Sequence, residues 1–575
     1  MTNSRIERIR FTDDDIRVFG DTDARHKNWP VVYLLDGTQD VYVGETLDTA
    51  SRMKQHLGNP HKQGFTGVRV VLNEKFNKSV CLDLESFLIN ALNGDGRLTV
   101  TNLNAGIVDR DYYDRASYRE SFLEIFEQLR GLGVFERRIE QIENDDLFKL
   151  SPFKALTTDQ AVAMEGILEG LFDDVDNDVS RTIVVQGDPG TGKTIVGISL
   201  VKLLQDMKSS DREDAYDSDA LFSDFFALGY AERIKDYRIG LVVPQQSLRA
   251  SIKQVFKKTP GLSANMVLSP FDVAKVAEPY DVLIVDEAHR LSRRANQSSA
   301  MLNKQFREAN ERLFGHDGTE LTQLDWVRDR SRHQILLLDT AQRIKPADLS
   351  SAILDELITT TKTNNRFYPL ASQMRVLAGE DYILYIRQIL KGEQSELVTF
   401  REYDLRMFDD LAEMHEEIRE RDAEVGLARL IAGYAWEWKS KTVKTDFDIE
   451  IDEVRLRWNQ TDKDWINSKT SLEEVGSIHT VQGYDLNFAG VIIGPDLKFD
   501  PVGRRIYVDR DSYFDKKGKE NNPKLGIVFS DDDLLEFIAG IYFVLLTRGM
   551  RGTYVHVVDP ALREYMRQFF PARSR

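Results

Sequence analysis

Residues Gly187-Asp188-Pro189-Gly190-Thr191-Gly192-Lys193-Thr194 set glycines, a lysine and a hydroxyl in the order that wraps a phosphate chain. An apolar run, Thr182 to Val185, precedes them, and a helical pattern from Ile195 to Leu204 follows. Glycines let backbone N–H groups turn toward phosphate at a helix N-terminus. Lys193 is placed to reach the terminal phosphates and Thr194 to hold Mg²⁺, so the pattern implies a bound nucleoside triphosphate. Asp281-Val-Leu-Ile-Val-Asp286-Glu287-Ala-His289 reads as a buried strand with two carboxylates at its end. Asp286 suits the Mg²⁺ of that nucleotide, and Glu287 suits orienting or activating the attacking water. Asp339-Thr340-Ala341-Gln342 ends another apolar run and offers Gln342 as a γ-phosphate sensor. Gln160, in Leu156-Thr-Thr-Asp-Gln160, is a candidate for the adenine; taken alone, each segment reads as a loop or capping element.

A second constellation lies near the N-terminus: Tyr33, Tyr42, Gly44, Thr46, Arg52, His56, Glu85 and Asn102. Two adjacent strands would bring Tyr33 and Tyr42 together, with Thr46 capping the next helix. Arg52 and His56 are four apart and so share one face of that helix. Glu85 falls among Val80, Leu84, Leu88 and Leu92 on another helix. A carboxylate, a phenol and an arginine over a small sheet suit single-metal phosphodiester cleavage. Glu85 would bind Mg²⁺ or Mn²⁺, a tyrosine would take the proton of water, and Arg52 would neutralise phosphate charge. Without further context these read as core tyrosines and a surface glutamate.

These residues need a scaffold. Strands are expected near 31–35, 41–44 and 68–73, with helices over 47–57 and 79–93. Residues 116–130 carry Phe122, Ile125, Phe126 and Leu129 at helical spacing. From 155 onward, unalternated apolar runs recur at 182–186, 240–243, 281–285, 334–338, 490–494 and 553–558, as parallel strands buried on both faces require. The polar tract 206–224 reads as a surface insertion. The class is α/β, in four parts: a small domain over 1–115, a helical linker over 116–150, and two parallel-sheet lobes over 151–360 and 361–575.

The 575 residues carry 42% hydrophobic and 30% charged side chains, an ordinary globular mixture. No apolar run approaches a membrane span, the N-terminus is unlike a signal peptide, and one cysteine excludes a disulfide framework. A cytoplasmic protein without a membrane partner is expected. The net charge is −18; residues 1–115 hold 15 Lys+Arg against 17 Asp+Glu, leaving −16 in the remainder. Any nucleic acid must therefore be held by local basic groups in a channel.

In order, Gln160, Gly187–Thr194, Pro244-Gln245-Gln246, Asp286-Glu287, Asp339–Gln342, Arg375, Ile478-His-Thr-Val-Gln-Gly483 and Thr547-Arg548 resemble the superfamily-one helicases. They look closest to a P-loop family related to the helicase-like domain of Schlafen proteins. The segments Gly426–Trp438 and Gly549–Tyr554 share that likeness. The resemblance covers about 155–560 and implies two RecA-like lobes with ATP between them. It assigns Arg375 and Arg548 as arginine fingers, and Gln482-Gly483 with Asp485 as the loop coupling ATP to nucleic acid. The N-terminal spacing resembles the GIY-YIG nuclease domain over about 30–105, with Val31 where that family has glycine. That likeness matches Tyr33 and Tyr42 to the motif tyrosines, Arg52 to the catalytic arginine, Glu85 to the metal ligand and Asn102 to the family asparagine. Together they imply a metal-dependent endonuclease fused to an ATP-driven motor on nucleic acid, DNA in preference to RNA. Repair, restriction or defence is the expected setting; an oligomer or a defence-system partner stays open. The alternative is a nucleic-acid-sensing ATPase switch whose N-terminal domain only binds.

Overall fold

The Arg5–Arg10 segment, alternating Arg, Ile and Glu, forms strand β1 at the edge of the first sheet. A computed structural model describes residues 4–102, 115–209, 222–227, 229–294, 300–339, 347–372, 376, 378–394, 396–460, 465–481, 485–515, 519 and 528–571. Strands β2 (Val31–Asp36), β3 (Asp40–Thr46), β4 (Gly67–Leu72) and β5 (Thr99–Val100) complete this sheet in the order β1-β4-β2-β3-β5. Helices Thr49–Leu57 and Lys78–Asp95 match the expected ones within two residues. The first is capped by Asp48, whose side chain accepts from Ser51 N, and not by Thr46, whose hydroxyl instead accepts the Asp48 N–H at 3.1 Å. Asp48 occupies the position that satisfies an orphan N–H three residues on. The segment read as a linker folds onto this domain: helix Arg115–Gly131 buries Phe122, Ile125, Phe126 and Leu129 with Val32, Val41, Leu84 and Leu88. After the Gly131–Gly133 break, Val134, Phe135, Ile139 and Ile142 join the same core. Apolar spacing had marked that helix; what the break concealed was a turn inside a core.

The chain divides into two compact units, one of Met1–Val175, Thr194–Ile239 and Ser251–Val267, the other of Asp176–Lys193, Gly240–Ala250 and Leu268–Arg575. The expected apolar runs become β6 (Thr182–Gly187), β7 (Ile239–Val242), β9 (Tyr280–Val285) and β10 (Ser331–Leu338), joined by β8 (Val267–Leu268) and β11 (Phe367–Leu370). Their order is β11-β6-β10-β9-β7-β8, and β6, β9, β10 and β11 run parallel. Because β11 pairs with β6, this sheet runs past residue 360.

A second parallel sheet contains β12 (Asp404–Met407), β13 (Ala428–Ala432), β14 (Ile449–Ile451), β15 (Val454–Trp458), β16 (Glu474–Ser477), β17 (Leu486–Ile493) and, after a hairpin of β18 (Leu497–Asp500) and β19 (Arg505–Val508), β20 (Gly549–Val557). The order is β12-β20-β17-β13-β16-β15-β14, with only β14 antiparallel to its neighbour. Every residue of β17 is buried, as a central strand covered on both faces requires. The protein is thus α/β, with parallel-sheet RecA-like architecture after the N-terminal domain.

Beyond β17, Asp496 is 1% exposed; Tyr542 donates to its Oδ1 at 2.6 Å, while Oδ2 is buried without a hydrogen-bond partner. Burial pushes this carboxyl from 3.8 up to about 7, against the Tyr542 hydrogen bond, which favours the ionised form. The unfolded chain therefore loses this proton near pH 4 and the folded protein near 7, so stability falls as pH rises between them. Asp496→Asn is expected to gain on the parent by roughly 4 kcal/mol between pH 4 and 8, then hold constant. Melting of both proteins across that range measures it; a pH-independent difference contradicts it.

Candidate functional site

Strand β6 delivers Gly187 to a loop that opens helix Lys193–Ser209. Gly190 and Gly192 lie at φ 86° and 77°, which side-chain-bearing residues rarely adopt. Lys193 is 5% exposed, and its Nζ donates to Gly187 O at 2.7 Å, Asp188 O at 2.9 Å and Asp339 Oδ2 at 3.3 Å. Asp339 ends β10, which pairs directly with β6, so register sets that approach. The Asp286 N–H bonds Val242 O at 2.9 Å, anchoring the end of β9 beside β7. Asp286, Asp339 and His289 are each fully buried.

Glu287 lies at φ 48° and ψ 44°, a left-handed conformation costly for a residue with a Cβ. Its Oε2 accepts from Arg290 Nε at 2.6 Å and lies 3.2 Å from His289 Nε2. His289 Nδ1 accepts the Asp339 N–H at 3.1 Å, so the neutral ring carries its proton on Nε2, facing Glu287. Burial alone would raise the Glu287 carboxyl; Arg290, His289 and Lys193 outweigh it and hold the group well below the usual carboxylate range. It is ionised at neutral pH, the form a base requires. Buried oxygen donors from Asp286 and Asp339 beside a lysine fit Mg²⁺ and a nucleotide, with Thr194 next in the chain.

Gln160 is buried and engaged in a reciprocal cap: its Oε1 accepts the Thr157 N–H at 3.0 Å, and its own N–H reaches Thr157 Oγ1 at 3.3 Å. Arg548 is 3% exposed, and its carbonyl accepts the Leu486 N–H at 3.2 Å. Gln342, Arg375, Gln482 and Gly483 lie outside the described residues.

In the N-terminal sheet Tyr33 and Gly44 are cross-strand partners, and a Cβ on Gly44 would lie 2.3 Å from Tyr33 Oη. Glycine there opens the space that the phenol fills. Tyr33 Oη lies 2.7 Å from Nε2 of buried His56, and the Tyr42 ring is 5.4 Å from the imidazole. Lys62 Nζ stands over the Tyr42 ring. The structure thus brings Tyr33, Tyr42 and His56 together, and adds Lys62, which periodicity did not mark. Arg52 bonds Gln55 Oε1 at 2.6 Å through Nη1 on the more exposed side of the helix. Glu85, half-buried on Lys78–Asp95, lies close enough to Cys81, with Glu45, to raise its thiol, though burial is the larger cause. The Asn102 carboxamide pairs with the Val43 backbone at 3.1 and 2.7 Å, extending the sheet edge. No set of three or more acidic, histidine or cysteine groups converges among the described residues. A metal on Glu85 would complete its shell with water and phosphate oxygens, as Mg²⁺ commonly does.

The parallel sheets and the Lys193 loop define a P-loop nucleoside triphosphatase of RecA-like architecture. The model of the family Schlafen group 3, DNA/RNA helicase domain matches residues 180–559, and the chain belongs to that family. An uncharacterized protein of Saccharomyces cerevisiae, YPL245W, is 26% identical over 409 residues, covering 66% of this chain and 82% of its own. Among solved structures, Bacteroides Pif1 bound to single-stranded DNA is similar at 8% identity and a TM-score of 0.25, over 70% of this chain and 94% of that one. Pif1 helicase from Bacteroides with ADP-AlF3 and single-stranded DNA gives 9% and 0.24 over the same shares. The chain is a helicase-like ATPase. No described helix is long and apolar enough to cross a membrane.

Proposed function

We propose that this ATPase is a nucleic-acid translocase or helicase fused to a divalent-metal-dependent endonuclease of the GIY-YIG kind, acting on DNA. The observation carrying the motor is the convergence of Lys193, Asp339, Glu287 and His289 at the strand ends of one parallel sheet. In this reading Lys193 and the loop 187–194 hold the phosphates, Thr194 and Asp286 the Mg²⁺, and Glu287 takes the proton of the attacking water. Gln160 serves the adenine, Gln342 the γ-phosphate, Arg375 and Arg548 the transition-state charge, and Gly483 the coupling loop. The nuclease rests on the phenol–imidazole pair of Tyr33 and His56, which can pass a proton within one hydrogen bond, with Tyr42 and Arg52 beside the phosphate and Glu85 on the metal.

The test uses labelled single-stranded, duplex and branched DNA and RNA with Mg²⁺ or Mn²⁺, with and without ATP. Metal-dependent cleavage together with ATP-dependent strand separation or translocation supports the fusion. ATP hydrolysis without cleavage or stepping favours the sensing switch. Arg548→Ala is expected to cut hydrolysis by roughly 10³-fold or more, the scale of an arginine finger, while ATP binding stays within a few fold. Equal turnover in variant and parent removes Arg548 from the site.

A further inference from the structure

This phosphate loop carries a carboxylate of its own. The Asp188 carbonyl accepts from Lys193 Nζ and from Thr191 Oγ1, each at 2.9 Å, so its backbone is tied into the loop. Its side chain is 56% exposed. A negative charge at the lip of a triphosphate site opposes the ligand, and the charge of Lys193 is already shared with two carbonyls and Asp339. A further cation beside Asp188 would offset that charge.

Arg387 stands in that place. It lies on helix Gly379–Lys391, and its Nη2 is 3.4 Å from Asp188 Oδ1, both residues within one compact unit. Its guanidinium carbon sits 5.3 Å from the centre of the Phe543 ring, which holds the planar group by cation–π attraction. Arg387 and Phe543 also line a cleft of about 1120 Å³, with Lys391 a turn further on and Asp532 and Glu536 on helix Asp531–Leu546. The arginine is therefore braced on an aromatic face rather than swinging in solvent.

We propose that Arg387 is a positioning residue for the ATP site, acting through Asp188: it cancels the carboxylate's field at the triphosphate and so lets an acidic phosphate loop hold ATP. The inference rests on the reading of the Lys193 loop as that site. A partly exposed ion pair does little for folding, so its effect belongs to nucleotide affinity. It differs from an arginine finger, which acts on the transition state and leaves affinity nearly unchanged.

Binding of a fluorescent ATP analogue with Mg²⁺, steady-state hydrolysis and melting are measured for the parent, Arg387→Ala, Arg387→Lys, Asp188→Asn and the double variant Arg387→Ala/Asp188→Asn. Arg387→Ala should raise Kd and KM about tenfold at low salt and leave kcat within about twofold, because one uncompensated charge now faces the ligand. The loss should shrink as salt rises. Arg387→Lys should recover most of the affinity, and the double variant should return to the parental Kd, since removing the carboxylate removes the need for its partner. Parental affinity in Arg387→Ala overturns the inference, as does a double variant as weak as Arg387→Ala. A parent that does not bind the analogue overturns the ATP-site reading with it.

Discussion

Lys193→Ala and Glu287→Gln will each reduce ATP hydrolysis by roughly 10²- to 10⁴-fold, and only the second will keep ATP binding. Lys193 is the cation that Gly187 O, Asp188 O and Asp339 surround; a bound phosphate replaces those oxygens as its partner. Removing it also leaves Asp339 buried beside no ammonium, so the variant is checked by melting before its kinetics are read. Glu287 is different. Arg290, His289 and Lys193 keep it ionised, and its strained backbone aims it from the end of β9. Glutamine keeps the size and can still accept from Arg290, but it cannot take a proton. Phosphate release and binding of a fluorescent ATP analogue separate the two cases. Near-parental hydrolysis in either variant would show that the role has been given to the wrong residue.

The second large effect is loss of cleavage without loss of ATP turnover. Tyr33→Phe deletes the hydroxyl 2.7 Å from His56 while keeping the ring that fills the space beside Gly44. Glu85→Gln keeps the shape of the proposed metal ligand but removes its charge. Each should lower metal-dependent cleavage by roughly 10²- to 10⁴-fold. Nucleic-acid-stimulated ATPase should stay within about twofold, because Tyr33 lies on a strand of the N-terminal sheet and Glu85 on the helix Lys78–Asp95, whereas Lys193 opens the helix that follows β6 of another sheet. Calorimetric titration with Mn²⁺ gives a readout independent of activity: Glu85→Gln should lose the binding isotherm and Tyr33→Phe should retain it. Full cleavage by Glu85→Gln contradicts the assignment.

The phosphate loop, the Asp286-Glu287 pair and the first parallel sheet were legible because apolar runs without alternation admit few readings, and chemistry sits at their ends. Tyr33 and Tyr42 were legible for the opposite reason, a short hairpin that forces proximity. The strands Asp404–Met407, Val454–Trp458 and Glu474–Ser477 leave no apolar run in the sequence, since their polar residues find partners only after folding. Arg406, for example, pairs with Asp404 and Glu417, and Trp465 donates to Glu474. The fold of residues 116–150 onto the N-terminal core was hidden by a Gly-Leu-Gly break that reads as an end. His289, which orders Asp339 and faces Glu287, sits at the end of the Asp281–His289 run with no sequence signal for that role. Nothing in spacing alone tells a buried histidine that orients a carboxylate from one that fills a core.

In the proposed reading, ATP hydrolysis drives movement along nucleic acid. Steady-state ATPase of the full chain with single strands of increasing length tests it most directly. A translocating motor predicts turnover that rises with strand length to a plateau, and loses the length dependence when the strand ends are blocked by a short bound duplex. Hydrolysis indifferent to nucleic acid, or stimulated equally by strands of every length, would show that ATP turnover is not coupled to stepping.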